Sequence, residues 1–363
     1  MKGAYKTESI RRAERAAKER TGEDELIERA AAKLLETVER VPFSRAVIVA
    51  GGGNNGSDAL SLAHLLIERA YDVAVYVAGD KRNEFVGKRI AALTELGADV
   101  TLVSSANDIV ISPGDLVVDG LLGIGCNREI TGIMSDIVHK INSSGAFVVA
   151  VDVPTGLDSD TGRVRGCAVV ANETVTFIGL KQGLYLADGR NYAGRITLCD
   201  IGVDAGEPDY YIAENDDVRL PARLPVSNKG TYGCVKIIAG SPTMMGASLL
   251  AHESAQASLR GGAGYAVLCV PRSLAAVYQA RVKEEMLMFL PDDDGRAVFD
   301  APSLDAVMHR ASAIVIGPGM GKNADLIKII AYIARNFDGT LVIDGDGLNA
   351  LSADLTAVEG HKC

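Results

Sequence analysis

At 363 residues the chain is too long for one ordinary compact domain, so two domains are expected. It is 48% hydrophobic and 23% charged with 39 glycines, the composition of a globular α/β protein rich in turns. A net charge of −10 spread along the chain, no Trp and 5% aromatic residues speak against a nucleic-acid binder, which needs a basic stripe and stacking rings.

Residues 6–41 alternate charged and Ala/Leu/Ile positions around a Thr21-Gly22 break, which predicts two helices. Short, almost wholly apolar runs follow at 46–50 (AVIVA), 73–78 (VAVYVA), 115–119 (DLVVD) and 146–153 (AFVVAVDV). Such runs suit strands buried on both faces. Helix candidates at 57–70, 85–96 and 133–142 lie between them, so βαβ units, a parallel sheet and right-handed crossovers are expected. A polar stretch with Pro221 and Pro225 reads as a linker. A second series follows, with strands at 234–239, 265–270, 313–316 and 341–344 and helices near 245–259 and 324–336. The two halves do not repeat each other. The expected organisation is a first domain over 1–215, a linker over 216–229 and a second domain over 230–363.

The cysteines (Cys126, Cys167, Cys199, Cys234, Cys269, Cys363) form no CxxC pair, which speaks against a zinc site or disulfide framework and for a reducing compartment. The charged N-terminal stretch is unlike a signal peptide, and no apolar run nears the ~18 residues that span a bilayer. A soluble, cytoplasmic protein is expected, with no membrane partner.

Ligands on a parallel sheet bind beyond the C-terminal strand ends. The first such loop is Gly51-Gly52-Gly53-Asn54-Asn55-Gly56-Ser57-Asp58. Its glycines permit positive φ and close backbone approach, and the helix after it offers free N–H groups to an anion. Gly51, Gly53 and Gly56 satisfy the dinucleotide pattern GxGxxG, a weak signal alone. A plain strand-to-helix turn capped by Ser57 or Asp58 is the simpler account. Asn54, Asn55 and Asp58 add polar groups that such a turn does not need. Two further strand-end loops carry carboxylates beside glycines, one from Asp119 to Gly125 and one from Asp152 to Asp158. A lone strand-end Asp is commonly a turn former; three such loops on one side of a sheet point to a ligand site.

GGGNNGSD, VDGLLGIG and AVDVPTGLDSDTG, in this order, resemble the epimerase module of the NAD(P)H-hydrate repair family over essentially all of 1–215. The resemblance implies a Rossmann-like three-layer sandwich that interconverts the R and S hydrates of NADH and NADPH. By motif it puts Asn54, Asn55, Gly56, Ser57 and Asp58 against the hydrate. Gly123, Ile124, Gly125, Cys126, Asn127, Arg128 and Glu129 would line the nucleotide, and Asp152 would touch the damaged ring. Potassium would be held by Asn55, Asp119 and Thr155, and Lys81 matches an assisting lysine. The hydrated carbon is a carbinolamine, so its inversion requires the C–O or ring C–N bond to break and re-form. A carboxylate that gives and takes a proton near a fixed cation suits that chemistry. Asp152 is therefore the expected acid/base and Lys81 its electrostatic partner. Ser57 and Ala59 replace two glycines of the usual family loop; Ser57 is expected to cap the helix, and the effect to be modest.

The second half carries Ser241-Pro-Thr-Met-Met-Gly246-Ala247, Gly317-Pro-Gly319-Met-Gly321 and LVIDGDGLN, which resemble the ribokinase-like dehydratase module of the same family. By that resemblance Ala247, Gly319 and Gly321 would face the hydrate, Asp346 would lie near the phosphates, and ADP or ATP would supply the phosphoryl group. The family's later elements, a Pro-His-x-Gly-Glu segment, a Lys-Gly loop and a Gly-x-Gly-Asp anion hole, are not found. This half is therefore expected to be a partial module with negligible dehydratase activity and an open sheet edge. A homo-oligomer is expected. Competing readings are an NAD-dependent oxidoreductase, with Asp80 on a ribose, and a non-catalytic nucleotide-binding scaffold.

Overall fold

The computed structural model describes residues 1–79, 81–126, 128–219 and 222–361. Asp80, Asn127 and Pro221, on which expectations fell, lie outside the described residues. The chain forms two compact units, Met1–Asp217 and Val218–Cys363.

The first unit runs β1 (Lys2–Tyr5), α1 (Thr7–Thr21), α2 (Glu23–Val38), β2 (Ala46–Ala50), α3 (Asn54–Glu68), β3 (Val73–Ala78), α4 (Glu84–Glu95) and β4 (Val100–Val103). It continues through β5 (Leu116–Gly120), α5 (Ile133–Ser143), β6 (Phe147–Val151), β7 (Glu173–Phe177), β8 (Leu180–Lys181), α6 (Gly189–Tyr192), β9 (Arg195–Cys199) and β10 (Tyr210–Ile212). Seven strands make a parallel sheet in the order β4-β3-β2-β5-β6-β7-β9. Alternation along the strands divides their side chains between two cores. Ala46, Ile48, Ala50, Val75, Leu116, Val118, Val149 and Val151 pack with α2, α3 and α4. Val47, Val49, Ala78, Val117, Val148 and Ala150 pack with Ile137, Val138 and Ile141 of α5. Helices on both faces explain why these strands are apolar throughout, each fully buried aliphatic side chain contributing about 1.5–3 kcal/mol. The result is the three-layer Rossmann-like sandwich that the sequence suggests. A small sheet, β10-β1-β8, was not anticipated; β1 pairs antiparallel with β10 and parallel with β8.

The second unit comprises β11 (Cys234–Ile238), α7 (Met245–Gly261), β12 (Tyr265–Pro271), α8 (Ala275–Gln279), β13 (Met286–Leu290), β14 (Asp292–Asp293) and β15 (Arg296–Ala297). After these come α9 (Ala301–Met308), β16 (Ala313–Ile316), α10 (Leu326–Asn336), β17 (Thr340–Ile343) and α11 (Asp346–Leu351). Its parallel sheet has the order β13-β12-β11-β16-β17, with α9 and α10 packed on one face and α7 and α8 on the other. The edge strand β17 exposes Val342, and Leu348 and Leu355 near it are also exposed.

In both sheets strand order reverses beside the first strand, between β2 and β5 and between β11 and β16. Loops leaving those strands diverge and open a crevice.

Candidate functional site

The first switch point opens into a cleft of about 340 Å³. The loops after β2, β5 and β6 meet there with α1, α2 and the end of β7.

The glycines after β2 serve a different purpose from the one expected. None of Gly51, Gly52, Gly53 or Gly56 has positive φ. A Cβ on Gly51 would fall 2.0 Å from the Leu121 carbonyl oxygen, one on Gly52 1.8 Å from that of Lys81, and one on Gly56 1.9 Å from that of Gly51. These three let backbone segments touch. Gly53 has open space where its side chain would be and caps α3, which starts at Asn54 rather than at 57. Ser57 therefore sits inside the first turn, fully buried, and is not the cap. Asn54, Asn55 and Asp58 line the cleft; Gly56 and Ser57 do not. The Asn54 amide donates to Glu14 (3.3 Å) and accepts from Asn83 (3.0 Å).

Asp119 is completely buried at the end of β5. It accepts from the Thr155 hydroxyl (2.6 Å) and backbone N–H (2.8 Å) and from the Leu121 N–H (3.3 Å). Burial outweighs these bonds and pushes its pKa up to about 6. Asn55, 8% exposed, has its side-chain amide nitrogen without a hydrogen-bond partner among the described residues. Its carboxamide lies beside Gly123, where a Cβ would come within 2.9 Å of Oδ1. Among the described residues no three His, Cys, Asp or Glu side chains are grouped to hold a metal. A cation here would rest on one carboxylate and neutral oxygens, donors that suit a weakly charged hard ion rather than zinc. The under-compensated carboxylate at Asp119 fits such an ion, and Asn55 Oδ1, beside Gly123, is a neutral oxygen, whereas the unpartnered Asn55 Nδ2 is a donor suited to an acceptor on a ligand.

Asp152 ends β6 in the left-handed region, with φ 67°. The Val153 N–H bonds back to the Val151 carbonyl (2.8 Å), closing a γ-turn that explains why the strand stops short of 153. Ile178 repeats this arrangement at the end of β7, with φ 68° and a Gly179 N–H to Phe177 carbonyl bond of 2.7 Å. A γ-turn at positive φ is a strained conformation, the more so for the β-branched Ile178, and both residues line the cleft. The turns bring Asp152 to Lys181, which is 1% exposed. The Lys181 ammonium forms an ion pair with Asp152 Oδ1 and donates to Thr176 Oγ1 (3.0 Å) and the Phe177 carbonyl (2.8 Å). Thr176 Oγ1 (3.1 Å) and the Phe177 N–H (3.4 Å) also donate to Asp152.

Lys181 was not anticipated. Lys81 was, yet it is exposed and does not line the cleft; its backbone carbonyl lies against Gly52 in the loop after β3. Asp58 is a half-buried cleft carboxylate with no hydrogen-bond or ion-pair partner among the described residues. Burial, then the charges of Asp152 and Glu14, hold its pKa well above the usual carboxylate range, against the opposing charge of Lys18. Lys18 itself pairs with Glu14 (2.8 Å) and Glu23 (2.7 Å). Of the 123–129 segment, Gly123, Ile124 and Gly125 line the cleft; Cys126 is buried outside its lining, and Arg128 and Glu129 are exposed.

In the second unit, the loops after β11 and β16 meet at their switch point. A Cβ on Gly319 would lie 2.9 Å from that of Ala247. Gly317, Gly319 and Gly321 have φ of 121°, 64° and 70°, so this loop does need glycine for its backbone. Asp346 accepts from the Gly321 N–H (2.7 Å) and so holds the loop. The Ser241 hydroxyl beside it is buried and unpartnered among the described residues.

Two α/β units built on parallel sheets, each with converging strand-end loops and the first with an Asp–Lys pair in its cleft, define a two-module α/β protein. A model described as YjeF-related protein N-terminus matches residues 23–183, and one described as NAD(P)H-hydrate dehydratase matches 235–362. The bifunctional NAD(P)H-hydrate repair enzyme Nnr of Moorella thermoacetica is 31% identical, over 92% of this chain and 67% of its own length. That of Thermofilum pendens is 33% identical, over 94% of this chain and 68% of its own. An ADP/ATP-dependent NAD(P)H-hydrate dehydratase structure from Bacillus subtilis is 27% identical over 36% of this chain and 43% of that chain, with a TM-score of 0.29. The chain belongs to the family of bifunctional NAD(P)H-hydrate repair enzymes and spans about two thirds of the length of the two relatives compared. That membership replaces the oxidoreductase and scaffold readings. The dehydratase match, over 235–362, lends no support to the expectation of a module without its catalytic end. Among the described residues no helix is long and apolar enough to cross a membrane.

Proposed function

We propose that the first unit epimerises the R and S hydrates of NADH and NADPH, with Asp152 as the acid/base and Lys181 in the electrostatic role that the sequence suggested for Lys81. The observation that carries this reading is the Asp152–Lys181 pair, delivered to the cleft by two strained turns. Strained turns of this kind cluster at ligand sites. The adjacent N-terminus of α3, with Asn54 and Asn55, suits the anionic part of a dinucleotide. Asn55, Asp119 and Thr155 would hold a potassium ion, which supplies a fixed positive charge beside the substrate. Lys181 keeps Asp152 oriented and places a fixed positive charge beside it.

In the second unit, Ala247, Gly319 and Gly321 would face the hydrate, with ADP or ATP as the phosphoryl source. The test is epimerisation of each purified hydrate by the full chain, resolved chromatographically. Asp152→Asn is expected to lower turnover by about 10²- to 10⁴-fold. Normal turnover in that variant would remove Asp152 from the chemistry.

A further inference from the structure

The cleft holds two carboxylates in opposite surroundings. Asp152 accepts from an ammonium, a hydroxyl and a backbone N–H. Asp58, across the cleft on α3, has no donor among the described residues and faces acids from other elements: Asp152 at the end of β6, Glu14 on α1 and Glu23 on α2. Lys18 is the cation facing it, and both Glu14 and Glu23 already engage that lysine. Paired carboxylates held in such different surroundings can divide acid and base work between them.

We propose that Asp58 is the proton donor of the epimerisation and Asp152 the proton acceptor, a division of labour that rests on the epimerase reading above. As the carbinolamine C–O bond breaks, the Asp58 proton passes to the departing oxygen, water leaves, and the ring nitrogen's lone pair forms an iminium with the ring carbon. Water then adds to the opposite face of that carbon. The new C–O bond forms as Asp152 takes the surplus proton, and the iminium electrons return to nitrogen. Proton transfer from Asp152 to Asp58, directly or through solvent, restores the starting state, so no atom or charge is left over.

Burial raises the pKa of Asp58, so its acid form persists to higher pH than an ordinary carboxyl's, and kcat should fall as pH rises through that value. The full chain is assayed with purified hydrates across pH, alongside Asp58→Asn and Asp58→Glu, with melting curves for each. Asp58→Asn should lower kcat by about 10²- to 10³-fold, leave KM nearly unchanged and abolish the high-pH limb. Asp58→Glu should keep measurable turnover and move the limb. A wild-type chain that does not epimerise refutes the epimerase reading and this role with it. If the wild type is active, three results overturn the donor role alone: an Asp58→Asn chain with normal kcat, one with raised KM only, or one that keeps the limb. If Asp58→Asn does not fold, an unmoved limb in Asp58→Glu overturns the proposal.

Discussion

Replacing Lys181 by Met tests whether the pair at the heart of the cleft is as tightly bound as its geometry indicates. The ammonium is 1% exposed and satisfies three acceptors, whereas the Asp152 side chain is 15% exposed. Removing one member of a buried ion pair costs about 3–5 kcal/mol, because the other charge is stranded. Asp152 keeps the Thr176 hydroxyl and the Phe177 N–H and faces the cleft, where water can reach it, which places the expected loss near the lower bound, about 3 kcal/mol. For a unit of this size that corresponds to roughly 6–12 °C in melting temperature. Adding Asp152→Asn should recover at least half of the loss, since no charge is then stranded. Urea unfolding of the full chain, with hydrogen exchange at β6 and β7 amides to report the first unit alone, gives both numbers. A loss below about 1 kcal/mol, or a double variant no more stable than the single one, would show that Lys181 is not a buried counter-charge.

Three other outcomes are expected. Gly56→Ala should prevent stable folding, because its Cβ would meet the Gly51 carbonyl, while Gly53→Ala should shift the melting point little; equal effects would contradict the packing described. Potassium chloride, but not lithium chloride, should raise the melting temperature, by up to about 2.7 kcal/mol in stability at a hundredfold excess over its Kd, and Asp119→Asn should remove the effect. Identical curves in the two salts would exclude a selective site. Burial pushes the Cys269 thiol up to about 12, so iodoacetamide at pH 8 should leave it unlabelled in the folded chain, as peptide mapping would reveal. Labelling before unfolding would mean that β12 is less protected than its packing implies.

Much of the site was legible because its parts sit at strand ends, and those strands declare themselves by unbroken apolar runs. Asn54, Asn55, Asp58, Asp119, Asp152 and Thr155 fall into this class, and a γ-turn at Asp152 only shortened a predicted strand. Lys181 was hidden for a physical reason. One lysine between Leu180 and Gly183 reads as part of a turn, and its purpose appears only when the chain after β7 folds back toward β6. The small sheet was equally opaque, since Lys2–Tyr5 carries no strand periodicity and forms through partners far along the chain. At the Gly51–Gly56 loop the composition was read correctly and its cause was not, because close carbonyl approach cannot be distinguished from positive φ in sequence.

The register of β1 carries a consequence for assembly. Tyr5 lies opposite Lys181 and Ala4 opposite Leu180, while β10 closes the other side of the same strand. The buried ammonium is thus braced by pairings between residues near opposite ends of the unit, and contacts of such long sequence separation form slowly. A partly folded chain, with its central sheet in place, would hold Asp152 without its counter-charge. The proposed proton transfer at Asp152 would therefore depend on pairings that draw together distant parts of the unit.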